Sequence, residues 1–113
     1  MKIKTEELEG TALDWAVMKA TGAPDDVATK LVVDGFRPST DWAQGGPLIE
    51  RFNIDLSWEG EGNICGLATH PDPEIGQSGQ YGWYGKTHLV AAMRAIVGFE
   101  LGDSVSIPSE LFS

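Results

Sequence analysis

Cysteine is almost absent from the 113-residue chain: Cys65 stands alone. No intramolecular disulfide can form, and the multi-cysteine zinc patterns that hold many small domains together are excluded. A reducing, cytoplasmic compartment suits such a chain best. Basic residues are also scarce, eight Lys and Arg against 17 Asp and Glu, which gives a formal charge of -9 and a pI near 4.4. That field repels phosphate backbones and anionic lipid surfaces, so neither nucleic acid nor membrane is an expected partner. No stretch approaches the roughly 20 apolar residues of a membrane span. The start Met1-Lys2-Ile3-Lys4-Thr5-Glu6-Glu7 has no apolar run of signal-peptide length. Histidine occurs twice, at His70 and His88, and neither belongs to a Ser, Cys or Lys nucleophile motif. The reading therefore assigns no metal, no cofactor and no catalytic residue.

What is present is an ordinary globular composition, 42% hydrophobic, with 14 Gly and 6 Pro to turn the chain. At this length residues 1–113 form one domain. Thr11-x-x-Asp14 has the spacing of a capping box, and Leu13, Ala16, Val17 and Ala20 follow at i, i+3, i+4 and i+7, predicting a helix from about Ala12 to a terminator at Gly22. Leu31-Val32-Val33 before Asp34-Gly35 reads as a strand end. Residues 36–47 read as an irregular loop, with Gly46 capping a short helix from Pro47 to Phe52. Ile54, Leu56 and Trp58 alternate with Asp55 and Ser57, predicting a strand with Trp58 on its buried face, then a hairpin turn and a second strand from Ile64 to Ala68. Residues 69–85 lack periodicity. Thr87 opens a long helix with Leu89, Val90, Met93, Ile96, Val97 and Leu101 on its apolar face, ended by Gly102, and Val105 and Ile107 mark a last strand. The expected class is α+β: a small, mainly antiparallel sheet, two main helices and long Gly/Pro-rich loops.

The chemistry-bearing side chains fall in two segments. Asp41, Trp42 and Gln44 precede Gly45 and Gly46 at a helix start, with Arg51 downstream; hydrogen-bonding edges, a flat aromatic and free amides there make one wall of a polar pocket. Tyr81, Trp83 and Tyr84 precede Lys86, Thr87 and His88, so stacking and anion-binding groups share the other segment. This is no nucleotide triphosphatase P-loop, because the glycine that Gly85-Lys86-Thr87 would need falls on Gln80. Local amides and a few cations can still bind phosphate in an acidic protein.

Three segments carry a family resemblance: KTEELEGTALDWAVMK ending at Lys19, PSTDWAQGGPLIER at 38–51, and LVAAMRAIVGFELGDSVSIPSEL at 89–111. Together they resemble the NinX-like proteins of bacteriophages and prophages. The resemblance implies a small phage-encoded accessory protein acting in the bacterial cytoplasm and brings no catalytic residue with it. Accessory proteins of this size commonly bind a host protein or neutralise a host defence, and some defences signal through small nucleotides. The expectation is a non-catalytic binder that sequesters a nucleotide-derived signal of cyclic nucleotide or cyclic ADP-ribose type. The alternative is an acidic inhibitor or decoy of a basic, nucleic-acid-binding host protein, and a nucleotide hydrolase comes third. Four Trp and an aromatic loop are more apolar material than one small core readily hides, so a homo-oligomer is expected.

Overall fold

The longest helix organises everything around it. Helix α4 (His88–Leu101) buries Leu89, Ala91, Ala92, Met93, Ala95, Ile96, Val97 and Gly98, too many positions for one stripe, so it must be covered on several sides. Its start is fixed by Thr87, whose hydroxyl oxygen accepts from the Val90 N–H at 3.1 Å, and its end by Gly102 at φ +92°. The computed structural model describes residues 1–68 and 82–112. In chain order these form β1 (Lys2–Lys4), a 3-10 turn (Thr5–Glu7), α1 (Gly10–Ala20), α2 (Asp25–Val33), α3 (Trp42–Arg51), β2 (Ile54–Gly60), β3 (Asn63–Ala68), β4 (Gly82–Gly85), α4, β5 (Ser104–Ser106) and a closing 3-10 turn (Ser109–Phe112).

One side of α4 is covered by the antiparallel sheet β2-β3-β4. Small residues set the approach. A Cβ on Gly66 would lie 2.5 Å from the Ala91 carbonyl oxygen, and one on Gly85 2.5 Å from the Ala91 nitrogen. Any larger residue at either place would push the helix off the sheet. Helix α1 covers another side of α4 and carries α2 on its own flank. Leu13, Val17, Met93, Ile96 and Val97 are sealed in this core, each worth about 1.5 to 3 kcal/mol of apolar burial. Strands β1 and β5 form a separate antiparallel pair, with Ile3 opposite Val105. The α+β class stands, with its antiparallel strands divided between two sheets.

Several local expectations give way to tertiary context. Leu31-Val32-Val33 ends a helix, not a strand: Ala28, Leu31 and Val32 at i, i+3 and i+4 turn toward the core, Asp25 and Asp26 sit in the favourable first turn, and Gly35 at φ +106° follows the C-terminus. β-branched propensity is the weaker signal. Helix α1 starts at Gly10 after an N-cap, Glu9, that makes no side-chain capping bond. Thr11 is therefore no cap, and Asp14 is buried, accepting from the Ser39 N–H at 2.8 Å. Helix α3 begins one turn before Pro47, because Asp41 caps it by accepting from the Ala43 N–H at 2.9 Å. Trp58 is 67% exposed, not core. It lies toward the far end of β2, on the edge strand and beside the register shift between Trp58 and Gly60.

Candidate functional site

The alternation Lys2-Ile3-Lys4 turns Ile3 inward and both lysines outward along β1. Thr5, fully buried, ties the end of this strand to the turn after α4: its hydroxyl donates to the Gly102 carbonyl at 2.6 Å and its N–H to the Asp103 carbonyl at 2.8 Å. Facing this sheet stands Trp83 of β4. Its indole lies directly on Gly98, where a Cβ would overlap the Cε2, Cζ2 and Nε1 ring positions. Arg94 clamps the same strand, donating from Nε to the Leu8 carbonyl at 2.8 Å and from Nη1 to the Tyr84 carbonyl at 2.7 Å. Partial burial lowers the Arg94 pKa from the ordinary guanidinium value, while Glu9 and Glu6 pull it back up.

Two clefts meet on Trp83. One, of about 710 Å³, is lined by Lys2, Lys4, Glu6, Trp83, Asp103 and Ser104. The other, of about 510 Å³, is lined by Glu6, Glu7, Gly82, Trp83, Tyr84, Arg94 and Asp103. Three cations and three carboxylates thus share one aromatic wall in a chain whose net charge is -9. Such a surface offers an indole face for stacking, cations for phosphate oxygens, and carboxylates that accept from hydroxyl or amine groups. Its described lining contains no histidine or cysteine. A further cleft of about 720 Å³ lies between α2 and β5, lined by Asp25, Asp26, Thr29, Lys30, Ser106, Ile107, Pro108 and Glu110.

The two segments singled out in the sequence do approach each other, at Gly45. A Cβ there would lie 2.7 Å from Leu89 Cδ2 and would collide with the Pro38 carbonyl. Most polar groups of this corner are turned onto one another, while the buried Ser39 hydroxyl has no hydrogen-bond partner among the described residues. Gln44 accepts from the Arg37 N–H at 2.7 Å and donates from Nε2 to Asp41 Oδ2 at 3.2 Å, and Arg37 Nε stands 4.0 Å from the same carboxylate oxygen. Trp42 is 57% exposed, with its ring over Gly46, and Arg51 lies at the far end of α3, 5.1 Å over the Phe52 ring. The Thr87 hydroxyl is engaged in capping α4, while Lys86 and His88 are exposed. Tyr81 lies outside the described residues. Of the residues chosen from sequence, Trp83 and Tyr84 line the Trp83 clefts. The Tyr84 phenol, cross-strand from Cys65, is raised above its ordinary pKa chiefly by that thiol. Lys2, Lys4, Glu6 and Asp103 escaped the sequence reading. The signal available was the Lys-Ile-Lys alternation, which sets two cations on one strand face, but its partner strand lies about a hundred residues away.

Fold and cleft together define a small α+β domain with an aromatic, mixed-charge cleft between two antiparallel sheets. The chain belongs to a bacteriophage family: the sequence profile described as Bacteriophage P22, NinX matches residues 4–99. No curated protein matches it. Among the described residues no helix is long and apolar enough to cross a membrane, and no group of three His, Cys, Asp or Glu is placed to hold a metal ion.

Proposed function

We propose that the protein binds a small nucleotide-derived signal in the Trp83 cleft and sequesters it without catalysis. The observation that carries this reading is the convergence of two clefts on one indole, with Lys2, Lys4 and Arg94 around it and Glu6 and Asp103 between. A base stacked on Trp83 places its phosphates toward the lysines, where a charge-assisted hydrogen bond contributes about 1.5 to 3 kcal/mol. Ribose hydroxyls fall to the carboxylates, which accept and cannot donate when ionised. Membership of a phage family supplies the setting, a host cytoplasm whose defences signal with such molecules.

The test is thermal shift and titration calorimetry against linear and cyclic mono- and dinucleotides and ADP-ribose derivatives. A ligand at 100 times its Kd adds about 2.7 kcal/mol to stability. Trp83→Ala should abolish binding, and Lys4→Ala should weaken it about tenfold or more. Recovery of the ligand unchanged separates a binder from a hydrolase. Absence of any shift across the panel overturns the reading.

The α2–β5 cleft gives a second reading, an acidic decoy for a basic host protein: Asp25, Asp26 and Glu110 line it beside Lys30, with Asp25 already ion-paired to Lys19 at 2.6 Å. Salt-sensitive capture of a basic nucleic-acid-binding protein, lost on replacing these three residues by their amides, would support it.

A further inference from the structure

The sheet β2-β3-β4 has two edges, and they are finished differently. At β4 the Tyr84 carbonyl is taken by Arg94, and the strand abuts the Thr5–Glu7 turn. At β2 no described strand pairs with the outer edge. Yet β2 is the longest of the described strands, seven residues, and contains neither Pro nor Lys to discourage pairing. Trp58 projects from it 67% exposed.

We propose that two copies of the chain pair antiparallel along β2, centred on Leu56. This rests on the strand alone and is independent of the ligand reading. A two-fold axis perpendicular to the sheet keeps each copy's α4-facing side on the same side of the combined sheet. It therefore permits only registers in which a residue meets its own counterpart at the centre, since side chains alternate with period two. Three such registers overlap five or more residues of Ile54–Gly60. Centring on Ser57 sets Asp55 against Glu59 of the second copy twice, a like-charge opposition that destabilises a ladder. Centring on Trp58 runs the pairing through the register shift between Trp58 and Gly60, where the ladder is already broken. Centring on Leu56 avoids both. Ile54 then meets Trp58, Leu56 meets Leu56, and Asp55 meets Ser57, so apolar side chains share the helix-facing side and no like charges oppose. The exposed indole, unexplained by the core, then lies across the ladder from Ile54 of the second copy, whose own side chain is already buried in its core.

Light scattering on the eluted full chain, followed by sedimentation equilibrium, should give twice the 12.2 kDa chain mass at micromolar concentration. Position 57 tests the register. Ser57→Glu opposes a second carboxylate to Asp55 at two symmetric places and should weaken the dimer by a few-fold to about thirtyfold, whereas Ser57→Lys should hold or tighten it. Asp55→Lys combined with Ser57→Glu should restore pairing. Ser57 is exposed, so circular dichroism of each variant should match the parent chain. A monomer at all concentrations, or a dimer indifferent to charge at position 57, overturns the proposal.

Discussion

The corner where α3 meets α4 and the cleft around Trp83 draw on the same kinds of residue, tryptophan with nearby cations and carboxylates, and put them to opposite uses. At the corner, Asp41, Gln44 and Arg37 satisfy one another, and Asp14 reaches from α1 to hold the Ser39 amide. Most of its polar groups stabilise a turn, although the buried Ser39 hydroxyl has no partner among the described residues. At the cleft, hydrogen bonds from Thr5 and the Arg94 side chain to backbone carbonyls hold the walls in place, and the side chains of Lys2, Lys4, Glu6 and Asp103 line open space. Composition alone does not separate a site from a scaffold. What separates them is whether the hydrogen-bonding capacity is already engaged.

The largest effect should come from filling the seat of the cleft's aromatic wall. Gly98→Val forces a branched side chain into the Trp83 ring and should cost about 3 kcal/mol, measured by urea denaturation, while abolishing any nucleotide-induced thermal shift. A variant that keeps its stability would show that the indole can leave Gly98 freely.

At the corner, Asp14→Ala strands the Ser39 amide and should cost about 2 kcal/mol. Burial raises the Asp14 pKa above its ordinary 3.8, against the lowering effect of the Ser39 hydrogen bonding. The folded state therefore holds this proton more tightly than the unfolded chain does. The resulting stabilisation is fully present below pH 3.8 and is lost as pH rises through the raised folded value. Asp14→Asn keeps an acceptor and cannot ionise, so its stability relative to the parent should improve as pH rises above 3.8. Denaturation midpoints that stay parallel across that range would remove Asp14 as a titrating group.

How much of this was legible in the sequence follows the range of the forces involved. The Leu89–Leu101 face, the Thr87 cap and the alternation of Ile54 to Ala68 are local, and α4 and the β2–β3 hairpin lie where these signals put them. Helix α2 was hidden because β-branched Val32 and Val33 spoke for a strand, while its apolar spacing needed the surface of α1 to make sense. The β1–β5 pair joins the two ends of the chain through Ile3 and Val105, and no window of sequence contains both. The candidate site suffers the same way. Trp83 advertised itself as an aromatic, but its lysines come from β1 and its carboxylates from two turns. Trp58 kept the period of a buried position, but it stands on the edge strand beside a register shift and its side chain stays exposed.

Smaller effects sharpen the contrast further. Asp41→Ala removes the α3 cap, which accepts from the Ala43 N–H, and also frees Gln44. About 1 kcal/mol should be lost, with no change in ligand affinity. A fall in affinity comparable to that of Lys4→Ala would mean the corner is a second wall of the site after all.

Trp42 gives the smallest and most discriminating change. With 57% of its surface exposed and its Cε3 4.0 Å from where a Cβ on Gly46 would lie, it contributes little to the core, so Trp42→Ala should shift stability by under about 0.5 kcal/mol. Its neighbours Asp41 and Gln44 are bonded to each other, which engages the polar side chains next to it in sequence. On the proposed function, affinity for a nucleotide ligand should therefore stay within twofold of the parent, about 0.4 kcal/mol, read by calorimetry on the two tryptophan variants side by side. Tenfold loss from Trp42→Ala with Trp83→Ala unaffected would reverse the assignment of scaffold and site. The aromatic beside engaged polar groups would then be the ligand's platform, and the aromatic in the cleft only packing.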